Sequence, residues 1–145
     1  MPRKEFALIA FDTNALVRVL IEDDKDQAKM VRDIITQTED HSGRILILSE
    51  VLIETVWVLE SVYHCTKNEI SQFLETLVRT PVFITGEPLA IRTAVEQYKN
   101  GGDFADCVIV NKAKHHHAKK MFSFDKKLQR KFPDYVADSI QFNDL

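Results

Sequence analysis

The chain has 145 residues, of which 45% are hydrophobic and 28% are charged, and its net charge at pH 7 is −3. This composition argues against a disordered chain, and the length suits one domain with a real core, so we expect a single domain over residues 1–145. Cys65 and Cys107 have neither metal-ligand spacing nor a disulfide framework, which fits a reducing cytoplasm. The apolar run near the N-terminus is too short for a signal peptide or a membrane span, so we expect no membrane partner.

Apolar runs and segments with helical spacing alternate along the chain. Continuously apolar runs predict buried strands at about 6–11, where the strand is expected to be fully buried, and at 45–48. Further strands are expected at about 82–84 and 120–124, with a candidate last strand near 135–137. Between them, helical spacing and end signals predict helices at about 13–20, 24–38, 49–62, 67–79, 88–99, 104–116 and from 126. Ser49 is expected to cap the third helix. Strands that are apolar throughout and alternate with helices indicate a three-layer α/β/α sandwich around a central, mostly parallel sheet.

Five acidic residues lie at the ends of these predicted elements or within them. Asp12 and Asp125 follow strands, Asp103 and Asp106 lie three apart at a helix start, and Glu54 lies inside an apolar helix. The carboxyl ends of parallel strands meet at one edge of a sheet, so we expect the fold to gather these acids. Carboxylates in one place repel one another, and all-oxygen ligation selects Mg²⁺ or Mn²⁺. The alternatives are helix-start acids at 103 and 106 and a solvent-facing Glu54.

The basic residues are concentrated in one stretch of the chain. Eight Lys and Arg residues and one acid, Asp125, lie between Lys112 and Lys131, although the whole chain has 22 acids against 19 Lys and Arg. A basic stretch around a candidate metal ligand suits an enzyme that acts on a phosphate backbone. The alternative is a solvated helix face with ordinary surface lysines.

Four motifs together resemble those of the PIN-domain nucleases, and within them the VapC-like toxins of type II toxin–antitoxin systems. The motifs extend over nearly the whole chain and are Phe11-Asp-Thr-Asn-Ala-Leu-Val-Arg18, Ser49-Glu-Val-Leu-Ile-Glu-Thr-Val-Trp-Val-Leu59, Gly102-Asp-Phe-Ala-Asp-Cys-Val-Ile109 and Phe122-Ser-Phe-Asp-Lys126. None is diagnostic alone, but the four in this order and at this spacing are specific. The departures are mild: Ser123 stands where Thr is more usual, and Cys107 where Ala is usual.

The resemblance implies an acidic catalytic site that holds one or two Mg²⁺ or Mn²⁺ ions. Its members would be Asp12, Glu54, Asp106 and Asp125, with Asp103 as an additional acid. The metal ligands would be Asp12, Asp106 and Asp125, with Glu54 and Asp103 as further candidates, some through water. Helix geometry does not decide which of Asp103 and Asp106 contacts the metal directly. Hydrogen bonds that orient the carboxylates would come from Thr13, Asn14 and Ser123.

The resemblance further implies an endoribonuclease that acts as the toxin of a toxin–antitoxin pair in the cytoplasm. Its partners would be an RNA substrate, a cognate antitoxin and a second copy of the chain in a homodimer. Basic side chains expected to contact RNA are Arg18, Lys112, Lys119 and Lys126. For Arg18, a surface ion pair is the alternative.

Two other functions remain open at this point. One is a phosphohydrolase of the haloacid-dehalogenase type, which needs a second Asp two residues after the first, where this chain has Asn14. The other is a non-catalytic PIN-like nucleic-acid-binding or scaffold domain, although such domains lose acids that this chain retains. His115, His116 and His117 cannot all bind one metal ion from one helix face, since consecutive helical residues point about 100° apart. We expect them at a partly exposed helix end, where a protonated His suits the helix dipole. We expect Trp57 in the core or at a dimer contact.

Overall fold

The computed structural model describes residues 7–145 and contains two compact units, one ending at Pro88 and one beginning at Leu89. Phe6, the first residue of the strand expected at 6–11, and the N-terminal segment before it lie outside the described residues. The expectation of one domain over residues 1–145 stays a prediction. No helix in residues 7–145 is long and apolar enough to cross a membrane.

The described part of the first unit alternates strands and helices. In chain order they are β1 (Leu8–Ala10), α1 (Thr13–Leu20), α2 (Lys25–Asp40), β2 (Arg44–Ile47), α3 (Ser49–Ser61), α4 (Lys67–Arg79) and β3 (Phe83–Thr85). The strands form a parallel sheet in the order β1-β2-β3, with Ile9 opposite Ile45 and Leu46 opposite Ile84. Each pair of neighbouring strands is joined by helices, as parallel pairing requires.

The core of the first unit is built around β2, the central strand. Ile45 and Ile47 are fully buried, and so are Leu16 of α1 and Leu52 of α3. The expectation of a fully buried first strand is wrong for β1, where Leu8 is 55% exposed. In this sheet β1 lies at the edge and has one hydrogen-bonded neighbour, so one side of the strand lacks the cover that β2 has.

The second unit has the same alternation on a smaller scale. Its elements are α5 (Pro88–Lys99, which begins at the boundary), α6 (Phe104–His115), β4 (Met121–Phe122), α7 (Lys126–Lys131), β5 (Val136–Ala137) and a 3-10 helix at Phe142–Asp144. β4 and β5 pair in parallel, with Met121 opposite Val136. Tyr98 and Phe104 pack edge to face with ring centroids 5.7 Å apart, and both are buried. Within residues 7–145 every strand pair is parallel, which confirms the predicted α/β class.

Local end signals explain which helix boundaries the sequence predicts well. α4 begins where a capping box forms, because the Thr66 side chain accepts from the Glu69 backbone and the Glu69 side chain accepts from the Thr66 backbone. The expected cap at Ser49 is wrong by one residue. Leu48 occupies the N-cap of α3 without a side-chain hydrogen bond, and the Ser49 hydroxyl donates to the Glu50 carboxylate at 2.7 Å.

Candidate active site

A cavity of about 330 Å³ in the first unit contains two of the five predicted acids. Asp12 and Glu54 line it together with Thr13, Asn14 and Tyr63. Glu54 is exposed, as the alternative of a solvent-facing Glu54 predicted. Its side of α3 nevertheless borders this cavity. The structure therefore brings together an acid from the start of α1 and an acid from the middle of α3.

Asp12 owes its position to helix capping. It is the N-cap of α1, and its Oδ1 accepts a hydrogen bond from the backbone N–H of Ala15 at 2.9 Å. Such a cap satisfies one of the orphan N–H groups at the helix start and holds the carboxylate in one orientation. One carboxylate oxygen is thus committed to the helix, and the second is the oxygen that a ligand can use.

A second cavity, of about 490 Å³, lies in the second unit and contains Asp103 and Asp106. Asp103 is the N-cap of α6, and its Oδ1 accepts from the backbone N–H of Asp106 at 3.0 Å. Gly102 also lines this cavity, and a Cβ there would lie 2.6 Å from Sγ of Cys107. A glycine is therefore needed for this close approach beside the two acids.

Asp125 is the N-cap of α7, just as Asp12 is the N-cap of α1 and Asp103 is the N-cap of α6. Its Oδ1 accepts from the backbone N–H groups of Lys127 at 2.9 Å and Leu128 at 3.2 Å, at the start of α7. Ser123 Oγ accepts from the backbone N–H of Asp125 at 3.1 Å. Ser123 therefore contacts the main chain of Asp125, whereas the prediction was a hydrogen bond that orients a carboxylate.

Like charges crowd around Asp106. Partial burial raises the pKa of the Asp106 carboxyl, and the negative charges of Asp103 and then Asp125 raise this pKa further. The three acids of the second unit thus interact with one another through space. Crowded carboxylates of this kind are stabilised when a cation shares their charge.

Each cavity offers oxygen donors of the kind that a hard divalent cation prefers. Two carboxylates line each cavity, and the hydroxyl of Thr13 and the amide of Asn14 lie in the cavity of Asp12. Within residues 7–145, no three His, Cys, Asp or Glu side chains stand close enough to enclose one ion. Mg²⁺ suits such a site, because it keeps several waters and is usually bound through only one or two carboxylates.

Arg18 lies in a polar network beside the first cavity. Its guanidinium forms an ion pair with Asp23 at 2.8 Å and donates to Gln27 at 3.0 Å. It also donates to the Tyr63 hydroxyl at 3.4 Å, and this hydroxyl donates to Asp23 at 2.9 Å. The ion-pair alternative for Arg18 therefore describes its contacts. Tyr63, which lines the cavity, was missed by the sequence analysis, since nothing marks it beyond its place after α3.

The other basic candidates differ in their surroundings. Lys126 Nζ forms an ion pair with Asp138 at 2.7 Å, which holds the pKa of Asp138 below its ordinary value. Lys112 is partly buried in the last turn of α6, and Lys119 is exposed between α6 and β4. The cavity in the second unit is instead lined by three basic residues that sequence analysis did not single out: Lys127, Arg130 and Lys131.

The predictions for the histidine run and for Trp57 have opposite outcomes. His115, His116 and His117 are exposed at the end of α6, as expected. Trp57 is 63% exposed, so the prediction that it lies in the core is wrong. The buried face of α3 is occupied by Leu52, Val56 and Leu59, and Trp57 lies on another face. Its role in a dimer contact stays a prediction.

The raised pKa of Asp106 predicts a pH-dependent gain in stability for Asp106→Asn. The pKa of the Asp106 carboxyl is higher in the folded chain than in the unfolded chain. The folded state therefore loses stability as the pH rises from the lower of these two pKa values through the higher one. In EDTA at neutral pH, Asp106→Asn should melt at a higher temperature than the native chain, and the gain should shrink as the pH falls below the ordinary Asp pKa. The control is Glu96→Gln, which removes an exposed charge from α5. An unchanged or lower melting temperature for Asp106→Asn at neutral pH would contradict the crowding.

Comparisons with known proteins identify the family of the chain. The family model of the PIN domain matches residues 9–132. A VapC ribonuclease of Aquifex aeolicus (strain VF5) is 26% identical to this chain over 120 residues, which are 82% of this chain and 88% of that protein. No solved structure matches the chain significantly. The family match covers all five acids and is consistent with the predicted three-layer α/β/α sandwich. The chain belongs to the PIN domain family.

Proposed function

We propose that this chain is a metal-dependent endoribonuclease that cleaves RNA phosphodiesters at its carboxylates. The observation that carries the proposal is the gathering of Asp103, Asp106 and Asp125 beside a cavity that basic residues also line. Partial burial, and then the charges of the two other acids, raise the pKa of Asp106. Acids this close to one another destabilise the fold, so their presence together indicates a use. The similarity to a protein named a VapC ribonuclease supports RNA as the substrate.

In this proposal the predicted carboxylates hold one or two Mg²⁺ or Mn²⁺ ions. The ligands are Asp12, Asp106 and Asp125, with Glu54 and Asp103 as further ligands, some through water. When bound, such an ion makes a coordinated water more acidic and stabilises negative charge on phosphoryl oxygens. The caps on Asp12, Asp103 and Asp125 hold these side chains in fixed orientations, so little reorganisation is needed when the ion and the substrate bind.

A carboxylate that is not committed to metal accepts the proton of the attacking water. Thr13 and Asn14 lie in the cavity of Asp12 and Glu54, where their polar groups can orient a carboxylate or a water. Asn14 also counts against the phosphohydrolase alternative, since its amide lies where that chemistry needs a carboxylic acid.

Cleavage of RNA with matched variants tests the proposal. We expect a panel of structured RNAs that includes transfer RNAs to be cut with Mg²⁺ or Mn²⁺ and not with EDTA. Asp12→Asn and Asp125→Asn should lower the rate by about a hundredfold or more. Asn caps a helix about as well as Asp, so these variants remove a charge and keep the cap. The control is Asp26→Asn, an exposed acid in the first turn of α2.

The outcomes of this experiment separate the proposed nuclease from the alternative. Cutting that persists in EDTA, or that is equal in the Asn variants, would contradict a carboxylate–metal site. A folded chain that binds RNA but cuts none of the panel with either metal would favour the non-catalytic PIN-like binding domain.

We also propose that the chain is the toxin of a toxin–antitoxin pair and acts in the cytoplasm. An uncontrolled ribonuclease damages the cell that makes it, so a cognate antitoxin that covers the acidic cavities is expected. Expression of the chain alone should arrest growth, and co-expression of the neighbouring gene's product should restore it. Normal growth in cells with high levels of the active enzyme would argue against this role.

The exposed apolar residues of α3 and its flanks support a homodimer. Trp57 is 63% exposed, and it lies four residues after the partly buried Ile53, so the two share a helix face. Leu48 and Val62, just beyond the two ends of the helix, are also exposed. Large aromatic side chains bury the most apolar area in an interface, so Trp57 is the expected anchor.

Trp57→Glu should therefore convert a dimer into a monomer without unfolding it. We expect light scattering during gel filtration to give twice the chain mass for the native protein and the single chain mass for this variant. Ile109→Glu is the control, because Ile109 is an exposed apolar residue on α6. A native protein that is monomeric at every accessible concentration would contradict the homodimer.

A further inference from the structure

The cavity of the second unit is lined by charges of both signs. Its acids are Asp103 and Asp106, and its basic residues are Lys127, Arg130 and Lys131 of α7. The three basic residues are spaced i, i+3 and i+4, so they lie on one face of the helix. We call this set of three side chains the α7 basic face.

The α7 basic face differs from the rest of the basic stretch in its partners. Lys126, one residue before the face, forms an ion pair with Asp138, and Lys120 Nζ donates to the carbonyl of Asp134 at 2.7 Å. Lys114 Nζ lies 5.0 Å from the centre of the Tyr135 ring. None of Lys127, Arg130 and Lys131 forms an ion pair within the part of the chain that the structure describes. Their charge is therefore available to a ligand.

Glycine in the loop before α6 keeps this cavity open towards α7. A Cβ on Gly102 would lie 3.3 Å from Cε of Lys131, in addition to its clash with Cys107. The stem of Lys131 therefore passes over Gly102 at close range, and its ammonium group belongs to the same cavity as the Asp pair. A larger residue at position 102 would force Lys131 or Cys107 to move.

A cation alone, or an anion alone, pairs with only one of the two signs of charge in this cavity. A cation beside the acids is repelled by the α7 basic face, and a simple anion beside this face is repelled by Asp103 and Asp106. A phosphodiester strand fits both, because its phosphates would pair with Lys and Arg, and Asp103 and Asp106 would hold a divalent cation that offsets the negative charge of the strand. The three neighbouring cations also suit the repeated charge of a polynucleotide better than one isolated phosphate.

We infer that the α7 basic face binds the phosphates of the RNA strand next to the bond that is cut, and that this contact positions the strand without selecting its sequence. The inference rests on the proposed ribonuclease function. Contacts to phosphates fix register and orientation but carry no base information. Sequence preference is then set elsewhere on the protein.

The test is the salt dependence of RNA binding in EDTA, where no cleavage occurs. The probe is a short, fluorescent, single-stranded RNA of mixed sequence, and the variant is Lys127→Gln/Lys131→Gln. We expect severalfold weaker binding, and a slope of log affinity against log salt that is shallower by about 0.7 for each phosphate contact removed. The affinity of this variant for a second RNA of unrelated sequence should fall by the same factor.

Two control proteins keep the test specific. Lys25→Gln/Lys29→Gln removes two exposed charges from α2, and its salt slope should match that of the native chain. Lys127→Arg/Lys131→Arg keeps the charges and should keep the slope, which separates lost charge from a disturbed fold. The inference is overturned if Lys127→Gln/Lys131→Gln keeps the native salt slope, or if the salt slope of the α2 control falls by as much. It is also overturned if the affinity of Lys127→Gln/Lys131→Gln falls by different factors for the two RNAs.

Failure of the inference and failure of the proposed function are distinguishable. If the native chain cuts RNA with metal but the α7 variant keeps the native slope, the inference fails and the nuclease stands. If the native chain cuts no RNA and the α7 variant loses slope as expected, the phosphate contact stands and the nuclease function fails.

Discussion

Each of the helices α1, α6 and α7 begins at an aspartate whose Oδ1 accepts a backbone N–H of the first turn. This hydrogen bond ends the preceding strand or loop, starts the helix and orients a carboxylate in one step. The helix dipole stabilises the negative charge at this place, which offsets part of the cost of bringing acids together. The positions of Asp12, Asp103 and Asp125 are thus consequences of how these helices start.

Capping does not remove the repulsion between neighbouring acids. In the second unit partial burial raises the pKa of Asp106, and repulsion from Asp103 and then Asp125 raises this pKa further. The same cavity is lined by the α7 basic face, so acids and cations border one space of about 490 Å³. A site of this composition has a reason to bind a divalent cation and a phosphate together, which is the combination that phosphodiester hydrolysis needs.

Features that depend on neighbouring residues were predictable from the sequence. The start of α4 follows from Thr66 and Glu69, and the start of α5 follows from Pro88. Features that depend on packing were not predictable. The exposure of β1 follows from its place at the edge of the sheet, which the apolar run does not encode. The motifs led to the acids, and the charge pattern led to the basic stretch that contains α7. The positions of Tyr63 and of the α7 basic face beside the acids became visible only once the cavities were defined.

The proposed function depends on the predicted acids holding a divalent cation. The most direct test is calorimetric titration with Mn²⁺ of the native chain, Asp12→Asn and Asp106→Asn, with Asp26→Asn as the control. We expect each of the first two variants to lower Mn²⁺ affinity by about tenfold or more, while the control does not. Native affinity in either site variant, or no Mn²⁺ binding by the folded native chain, would contradict it.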